Sequence, residues 1–285
     1  MQTWTVGDLR ITKVLELEEA VEGGIAGGIL PDARPDLIRG MAWLHPDFAT
    51  AEGRLKISVH ALLVRGPGFN LVVDTCAGNG KERASPLFNM LQTAFLDEFA
   101  ATGCAREDVD LVLCTHLHVD HVGWNTMRVG ERWVPTFPNA RYLIGAAEYE
   151  RSAGGQGRPD TARLMADSVQ PLLDAGLVDF VETDAVIAPG VSLFPAPGHT
   201  AGQVGVLLES QGARAVITGD LMHHPCQVAH PEWSSDFDAD KERSRLTRID
   251  FVRHFAGDAT LVIGTHFAGR TAGHIVQVGE AHRLD

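Results

Sequence analysis

The chain has 285 residues, of which 45% are apolar and 21% charged, a composition typical of a globular protein with a sizeable core. Its formal net charge of −13 argues against nucleic acid and against an anionic membrane as partners, because both require a basic protein surface. Four widely spaced cysteines predict free thiols, and neither a signal peptide nor an apolar run of membrane-spanning length is recognised. We therefore expect a cytoplasmic protein.

The predicted elements mix strands with helices in both halves of the chain. Residues 4–17 and 56–75 predict strands, and residues 22–35 between them predict a Gly- and Pro-rich loop. The other elements follow in chain order: helix 85–103, strand 110–115, a strand running into a helix over 140–150, helix 158–176, strands 177–183, 191–198, 202–210 and 213–220, helix 238–257, and strands 259–267 and 274–280. We expect a single domain over residues 1–285, in which residues 1–55 supply N-terminal strands and a loop that flanks the active site.

A cluster of polar residues directly follows the apolar strand 110–115. It contains three histidines and one aspartate within six positions, namely His116, His118, Asp120 and His121. Imidazoles crowded at the end of a buried strand repel one another when protonated, and a buried polar group without a partner costs about 1–3 kcal/mol. The cluster therefore predicts a metal site.

Three later strands end in the same way, with a Gly or Pro turn and then a residue that can bind a metal. These residues are His199 in "PGHT", Asp220 in "TGD" and His266 in "GTHF". Seven ligands exceed the need of one tetrahedral ion, whereas they suit two ions that share a carboxylate. Imidazole and carboxylate ligands favour two Zn²⁺ ions, and they leave Mn, Fe, Co and Ni open.

The motifs "THLHVDH", "PGHT", "TGD" and "GTHFAG", in this order, resemble those of the metallo-β-lactamase-fold hydrolases. The resemblance implies an α/β fold, an αββα sandwich of two mixed β-sheets flanked by helices. It also implies that one metal is held by His116, His118 and His199, and the other by Asp120, His121 and His266. Asp220 would bridge the two metals.

The same resemblance implies a hydrolase in which a hydroxide between the metals attacks the substrate. Asp120 would move a proton to the leaving group, and Asp220 would complete the catalytic centre. Asp74, which ends the strand "LVVD", would orient ligands from the outer shell, although a turn aspartate is the plain alternative. His274 is a second candidate for the outer shell.

The features of the chain favour a lactonase or esterase that acts on a small molecule. Phosphotriester hydrolysis is the alternative, as in organophosphate hydrolases, and a β-lactamase or a metal-dependent binding protein without turnover fits less well. Related lactonases often carry a tyrosine three residues after the bridging aspartate, and this chain has His223 there. Either His223 replaces the tyrosine as a donor, or the substrate is not a homoserine lactone.

The sequence indicates the residues of the substrate pocket less clearly than those of the metal site. We expect Trp124, Asn125, Trp43 and His223 to contact the substrate, because apolar walls with a few polar groups suit a small organic molecule. A packing role for the tryptophans is the alternative. The resemblance also suggests a homodimer.

Overall fold

The computed structural model describes residues 1–26, 28–155 and 159–285. Gly27 of the predicted loop and Arg158 at the start of a predicted helix lie outside the described residues. No described helix is both long enough and apolar enough to cross a membrane.

Strands are the main regular elements of the described residues. The strands are β1 (Thr3–Val6), β2 (Leu9–Val21), β3 (Leu55–Gly66), β4 (Phe69–Val73), β5 (Leu111–Cys114), β6 (Thr126–Val129), β7 (Arg132–Pro135), β8 (Arg141–Gly145), β9 (Val178–Val181), β10 (Val186–Ala188), β11 (Val191–Pro195), β12 (Val204–Ser210), β13 (Ala213–Ile217), β14 (Leu261–Ile263), β15 (Ala272–Gly273), β16 (Ile275–Val278) and β17 (Ala281–Leu284). The helices are α1 (Pro35–Gly40), α2 (Phe95–Ala100), α3 (Ala146–Ala153), α4 (Thr161–Leu164), α5 (Gln170–Asp174), α6 (Cys226–Ala229) and α7 (Lys241–Phe255).

The chain divides into two compact units. Unit 1 contains Met1–Leu17 and Val59–Pro189, and unit 2 contains Glu18–Ser58 and Gly190–Asp285. Unit 1 contains most of the seven-stranded sheet and a large hydrophobic cluster, and unit 2 contains strands β11 to β15 and another such cluster. The expectation that residues 1–285 form a single domain stays a prediction.

The sheet of unit 1 has the strand order β1-β2-β3-β4-β5-β8-β9. Strands β4, β5, β8 and β9 are parallel neighbours. Strand β5 is apolar along its length because it lies inside this parallel part of the sheet, where both faces are covered. The carboxyl ends of parallel strands meet at one edge, so Asp74 after β4 and His116 after β5 lie at the same edge of this sheet.

In unit 2, strands β11 to β15 lie side by side in chain order. Strands β13 and β14 are parallel, whereas β12 is antiparallel to both β11 and β13. Strands β11, β13 and β14 therefore run in the same direction and end at the same edge. His199, Asp220 and His266 follow these three strand ends, so the predicted pattern of strand, turn and polar residue holds in this sheet.

The predicted helix 85–103 is wrong for its first half. Only Phe95–Ala100 is helical, whereas residues 86–90 form turns and residues 91–94 have no regular structure. Met90 has a φ of 52°, which no helix interior allows, and its backbone N–H donates to the carbonyl of Lys81. This return of the chain toward Lys81 overrides the helical spacing of the apolar side chains.

The structure contains helices in the predicted regions 158–176 and 238–257, but their details differ from the prediction. Residues 161–174 are helical, but α4 and α5 are joined by a π-helical segment over Met165–Val169. Helix α7 begins after Asp240, whose carboxylate accepts the backbone N–H of Arg243 at 2.9 Å. Its buried face is not purely apolar, since Leu246 is 42% exposed whereas Arg248 is fully buried.

Candidate metal centre

In unit 1, the loop after β5 gathers the four predicted ligands of the first motif. His116 and His121 are buried, and His118 and Asp120 are partly exposed. The Nε2 atom of His116 lies 3.0 Å from Nδ1 of His118, and the Oδ1 atom of Asp120 lies 3.8 Å from Nε2 of His121. The loop therefore presents three imidazoles and one carboxylate within a few ångströms of one another.

Asp74 orients this loop from the end of the neighbouring strand. Its carboxylate accepts the backbone N–H of Thr115 and the hydroxyl of Thr115, both at 2.8 Å. It also accepts Nδ1 of His121 at 2.9 Å. Because Nδ1 of His121 is engaged in this way, its Nε2 is the nitrogen that remains for a metal. This contact is the one that the outer-shell prediction for Asp74 requires.

Glu16, a residue of β2, stabilises the neighbourhood of this loop through hydrogen bonds to its carboxylate. It accepts the backbone N–H groups of Ala77 and Gly78 at 2.6 and 3.1 Å and the indole N–H of Trp124 at 2.6 Å. Burial raises the pKa of Glu16, and these hydrogen bonds counteract that rise. Glu16 thus ties the turn after Asp74 to the segment that follows His121. Glu16 is not among the site residues predicted from the sequence.

In unit 2, two predicted histidine ligands surround the carboxylate of Asp220. The Nε2 atom of His199 lies 3.3 Å from Oδ2 of Asp220, and the Nε2 atom of His266 lies 3.2 Å from its Oδ1. Ligands that bind one zinc ion tetrahedrally at 2.0–2.1 Å are about 3.3 Å apart. The spacing within this unit therefore fits a carboxylate and imidazoles that share metal ions.

The second nitrogen of each of these imidazoles is held by a partner in the same unit. Nδ1 of His266 donates to the carbonyl of Ser58 at 2.9 Å. Nδ1 of His199 lies 3.1 Å from Oδ1 of Asp238. Both side chains are thereby fixed with Nε2 toward Asp220.

His223 is a third imidazole beside the same carboxylate. Its Nε2 atom lies 3.3 Å from Oδ2 of Asp220, and its Nδ1 atom makes no hydrogen bond to a described residue. Its backbone N–H donates to the side chain of Gln227 at 2.7 Å. This hydrogen bond fixes the position of His223 after the turn at Asp220. Burial lowers the pKa of His223, although the nearby Asp220 acts in the opposite direction.

The donor sets of both units suit divalent metal ions. A cation that binds these buried imidazoles and carboxylates would compensate for the cost of holding them close together. In the metal sites of proteins, an imidazole that binds the metal through one ring nitrogen usually has a hydrogen-bond partner on its other ring nitrogen.

Residues 56–266 match the family model of the metallo-β-lactamase superfamily, which is about three quarters of the chain. The chain belongs to the metallo-β-lactamase superfamily. The match begins within β3 and ends at His266, so it includes all seven predicted ligands.

Other members of the superfamily are similar to this chain. An N-acyl homoserine lactonase of Bacillus sp is 28% identical over 151 residues, which are 53% of this chain and 53% of that protein. The chain thus spans about half the length of this curated relative. The hydrolase AbOPH of the β-lactamase superfamily has a TM-score of 0.80 at 23% identity, covering 99% of this chain and 95% of that chain. AidC, a dizinc quorum-quenching lactonase, has a TM-score of 0.79 at 17% identity, covering 100% and 96%.

These structural likenesses confirm the predicted fold class. Mixed sheets with flanking helices form the metallo-β-lactamase fold in this chain. The sequence motifs that carried the resemblance follow the strand ends as expected for a member of the superfamily.

Two predicted substrate contacts of this superfamily member lie in the interior of unit 1. Trp124 stacks on Phe95 with ring centroids 5.4 Å apart and donates to Glu16. The side chain of Asn125 accepts the hydroxyl of Thr75 at 2.9 Å and is fully buried. These contacts favour a packing role over the predicted contact with substrate.

The remaining predicted site residues lie in unit 2. Trp43 is half-buried in a turn over Ala42–Leu44 and packs against the hydrophobic core, so its contact with substrate stays a prediction. The imidazole of His274 is 42% exposed, and its Nδ1 lies 3.4 Å from the carboxylate of Asp285. This contact is with a residue outside the predicted ligands, and the outer-shell role of His274 stays a prediction. In this unit Ser58 and Asp238 contact the predicted ligands His266 and His199.

His224, the neighbour of His223, is a buried structural histidine, and it predicts a pH-dependent stability. Its Nε2 donates to the carbonyl of Phe48 at 2.7 Å, and burial lowers its pKa to about 4. Between pH 6.5 and 4 the unfolded chain binds a proton that the folded chain does not, so the free energy of unfolding falls as the pH falls. The full loss from this residue is about 3 kcal/mol below pH 4, and none of it is present above pH 6.5.

Urea unfolding of the metal-free protein between pH 4 and 7.5 measures this effect. The variant His224→Gln should lose less stability over this range than the unmodified protein, by up to about 3 kcal/mol. His230→Gln, which changes a partly exposed histidine in the same unit, is the matched control and should follow the unmodified curve. Parallel curves for all three proteins would contradict the prediction.

Proposed function

We propose that this chain is a dinuclear metal-dependent hydrolase that cleaves a small-molecule lactone or carboxylic ester. The observation that carries the proposal is the convergence of three imidazole Nε2 atoms, from His199, His223 and His266, on the carboxylate of Asp220. Two of these imidazoles follow the family motif, and the third occupies the position where related lactonases have a tyrosine. A metal centre with an adjacent donor of this kind suits ester cleavage.

The ligand assignment combines the sets of the two units through the order of the motifs. His116, His118 and His199 would hold one ion, whereas Asp120, His121 and His266 would hold the other. Asp220 would bind both, and Asp74 would orient His121 through Nδ1. The donor set favours Zn²⁺, and the geometry within each unit supports this assignment.

Relatives support the substrate class. The Bacillus relative is an N-acyl homoserine lactonase, and AidC was solved in complex with the product N-hexanoyl-L-homoserine. We extend the chemistry of lactone opening to this chain. A homodimer, the absence of nucleic-acid and membrane partners, and a cytoplasmic location stay predictions from the sequence.

Bound ions would lower the pKa of a shared water and polarise the ester carbonyl. The residues of the chain supply the rest of the chemistry. Asp120, whose carboxylate is partly exposed, accepts a proton and passes it to the leaving group. His223, which lies beside Asp220, donates a hydrogen bond from its imidazole N–H to the leaving oxygen.

The first experiment measures, with a pH-stat, the hydrolysis of a matched panel of substrates by the zinc-loaded protein. The panel contains long- and short-chain homoserine lactones, an aryl ester, a dialkyl aryl phosphotriester and a β-lactam. We expect the highest kcat/KM for a lactone or the ester, and we expect chelation to abolish turnover and zinc to restore it. A higher rate on the phosphotriester would contradict the substrate class. No turnover by protein that carries two zinc ions would contradict it as well.

A further inference from the structure

Asp238 is a buried carboxylate that belongs to none of the motifs of the metal site. Its side chain is 0% exposed, and it lies in unit 2 in the segment between α6 and α7. Its Oδ1 atom is 3.1 Å from Nδ1 of His199, and its Oδ2 atom accepts the backbone N–H of Ser235 at 3.1 Å. The backbone N–H of Ala239 also donates to the carbonyl of His199 at 3.0 Å. The main chain and the side chain of His199 are thus both held by this segment.

The contact has a counterpart in unit 1. There the carboxylate of Asp74 accepts Nδ1 of His121 at 2.9 Å and so leaves Nε2 for a metal. The carboxylate of Asp238 stands in the same relation to His199, whose Nε2 faces Asp220. A carboxylate on the second nitrogen of a ligating imidazole fixes the tautomer and the ring orientation.

Arg248 of α7 fixes the segment that carries Asp238. Its guanidinium donates to the carbonyl of Pro231 at 2.8 Å and to the hydroxyl of Ser234 at 3.2 Å. It also donates to the carbonyl of Leu221, the residue after Asp220, at 2.8 Å. One buried side chain therefore holds both the segment of Asp238 and the turn of Asp220.

We infer that Asp238 is the positioning residue of His199 and that it sets the metal affinity of the site. The inference rests on the proposed function, in which His199 binds a metal through Nε2. A purely structural Asp238 would stabilise the turn at Ser235 without affecting metal binding. The test must therefore measure metal binding and not only the integrity of the fold.

The test is zinc affinity, measured by competition with a chromophoric chelator on the full chain. Asp238→Ala should weaken binding of zinc at one site by up to about a hundredfold. Asp238→Asn should lose about tenfold, because His199 and Ser235 contact different oxygens of the carboxylate and the amide keeps only one of them. Asp236→Asn is the matched control, since Asp236 is in the same segment and pairs with Lys241, and its affinity should be unchanged.

A double-mutant cycle shows whether Asp238 acts through His199. In a His199→Ala background, Asp238→Ala should change the zinc affinity by less than about threefold, because the interaction that it supports is already lost. Histidine ¹⁵N spectra of zinc-loaded protein should show that His199 keeps its proton on Nδ1 and loses this fixed tautomer in Asp238→Ala.

The outcomes separate this inference from the proposed function. Unchanged zinc affinity in Asp238→Asn, or fully additive losses in the double mutant, would overturn the role of Asp238 and leave the proposed function intact. If Asp238→Ala does not fold, Asp238→Asn alone decides, with circular dichroism of the metal-free form as the check on its fold. Failure of the unmodified protein to bind two zinc ions would overturn the proposed function itself.

Discussion

Replacing Asp220 by Asn should lower kcat/KM for the best substrate of the panel by at least about a thousandfold, which corresponds to several kcal/mol of transition-state stabilisation. The carboxylate lies 3.2–3.3 Å from three imidazole nitrogens, and both of its oxygens take part. An amide has one neutral oxygen, so it cannot offer a negative charge to two cations at once. We expect the variant to bind fewer than two zinc ions per chain.

The measurement combines steady-state kinetics with metal analysis of dialysed protein. Asp236→Asn removes the same charge from a side chain outside the site and should keep both activity and zinc. An Asp220→Asn protein that retains two zinc ions and its activity would refute the assignment of Asp220 as the shared ligand.

Replacing His223 by Gln should reduce kcat on an alkyl lactone by about a hundredfold or more, while the rate on an aryl ester with a good leaving group should fall much less. The alkoxide that leaves a lactone ring needs a donor, whereas a phenolate with a low pKa does not. The imidazole of His223 lies 3.3 Å from the carboxylate of Asp220, which places a donor beside the proposed metal centre.

The difference between the two substrates is the decisive measurement for His223. Equal losses on lactone and aryl ester, with reduced zinc content, would show that His223 acts on the metal site and not on the leaving group. His230→Gln is the control for histidine substitution in the same unit, because its ring stacks on Trp233 and lies outside the site.

The seven proposed ligands could be predicted from the sequence because each follows a short apolar strand. That pattern is local: a strand such as β5 or β13 is recognised from its own residues, and the ligand comes within a few positions of its end. Parallel strands then bring these ends to one edge of a sheet without further information. Asp74 was found by the same logic at the end of β4.

The supporting residues could not be found in this way, because their contacts join distant parts of the chain. Asp238 is 39 positions from His199, and Glu16 is 108 positions from Trp124. Arg248 was not identified because an arginine in a helix is expected to face solvent, whereas the structure buries its guanidinium among carbonyl groups. Trp124 was expected at the substrate because it follows the metal motif, although its ring belongs to the core behind that motif.

The predicted boundaries of the helix over residues 85–103 were wrong for a different reason. Residues 85–94 have helical spacing, yet Met90 adopts a positive φ and returns to Lys81. Lys81 itself is buried against Asp167 and the ring of Trp133, and these contacts come from residues more than 50 positions away. Tertiary contacts of this kind override local propensity.

The position of Glu16 has a consequence for how the smallest functional fragment of this chain is defined. The region that matches the superfamily begins at residue 56, yet Glu16 lies 40 positions before it and belongs to the first hairpin of the sheet. A truncated protein that starts at residue 56 would leave the N–H groups of Ala77, Gly78 and Trp124 without this acceptor. The borders of sequence similarity are therefore narrower than the borders of the unit that shapes its metal-binding loop.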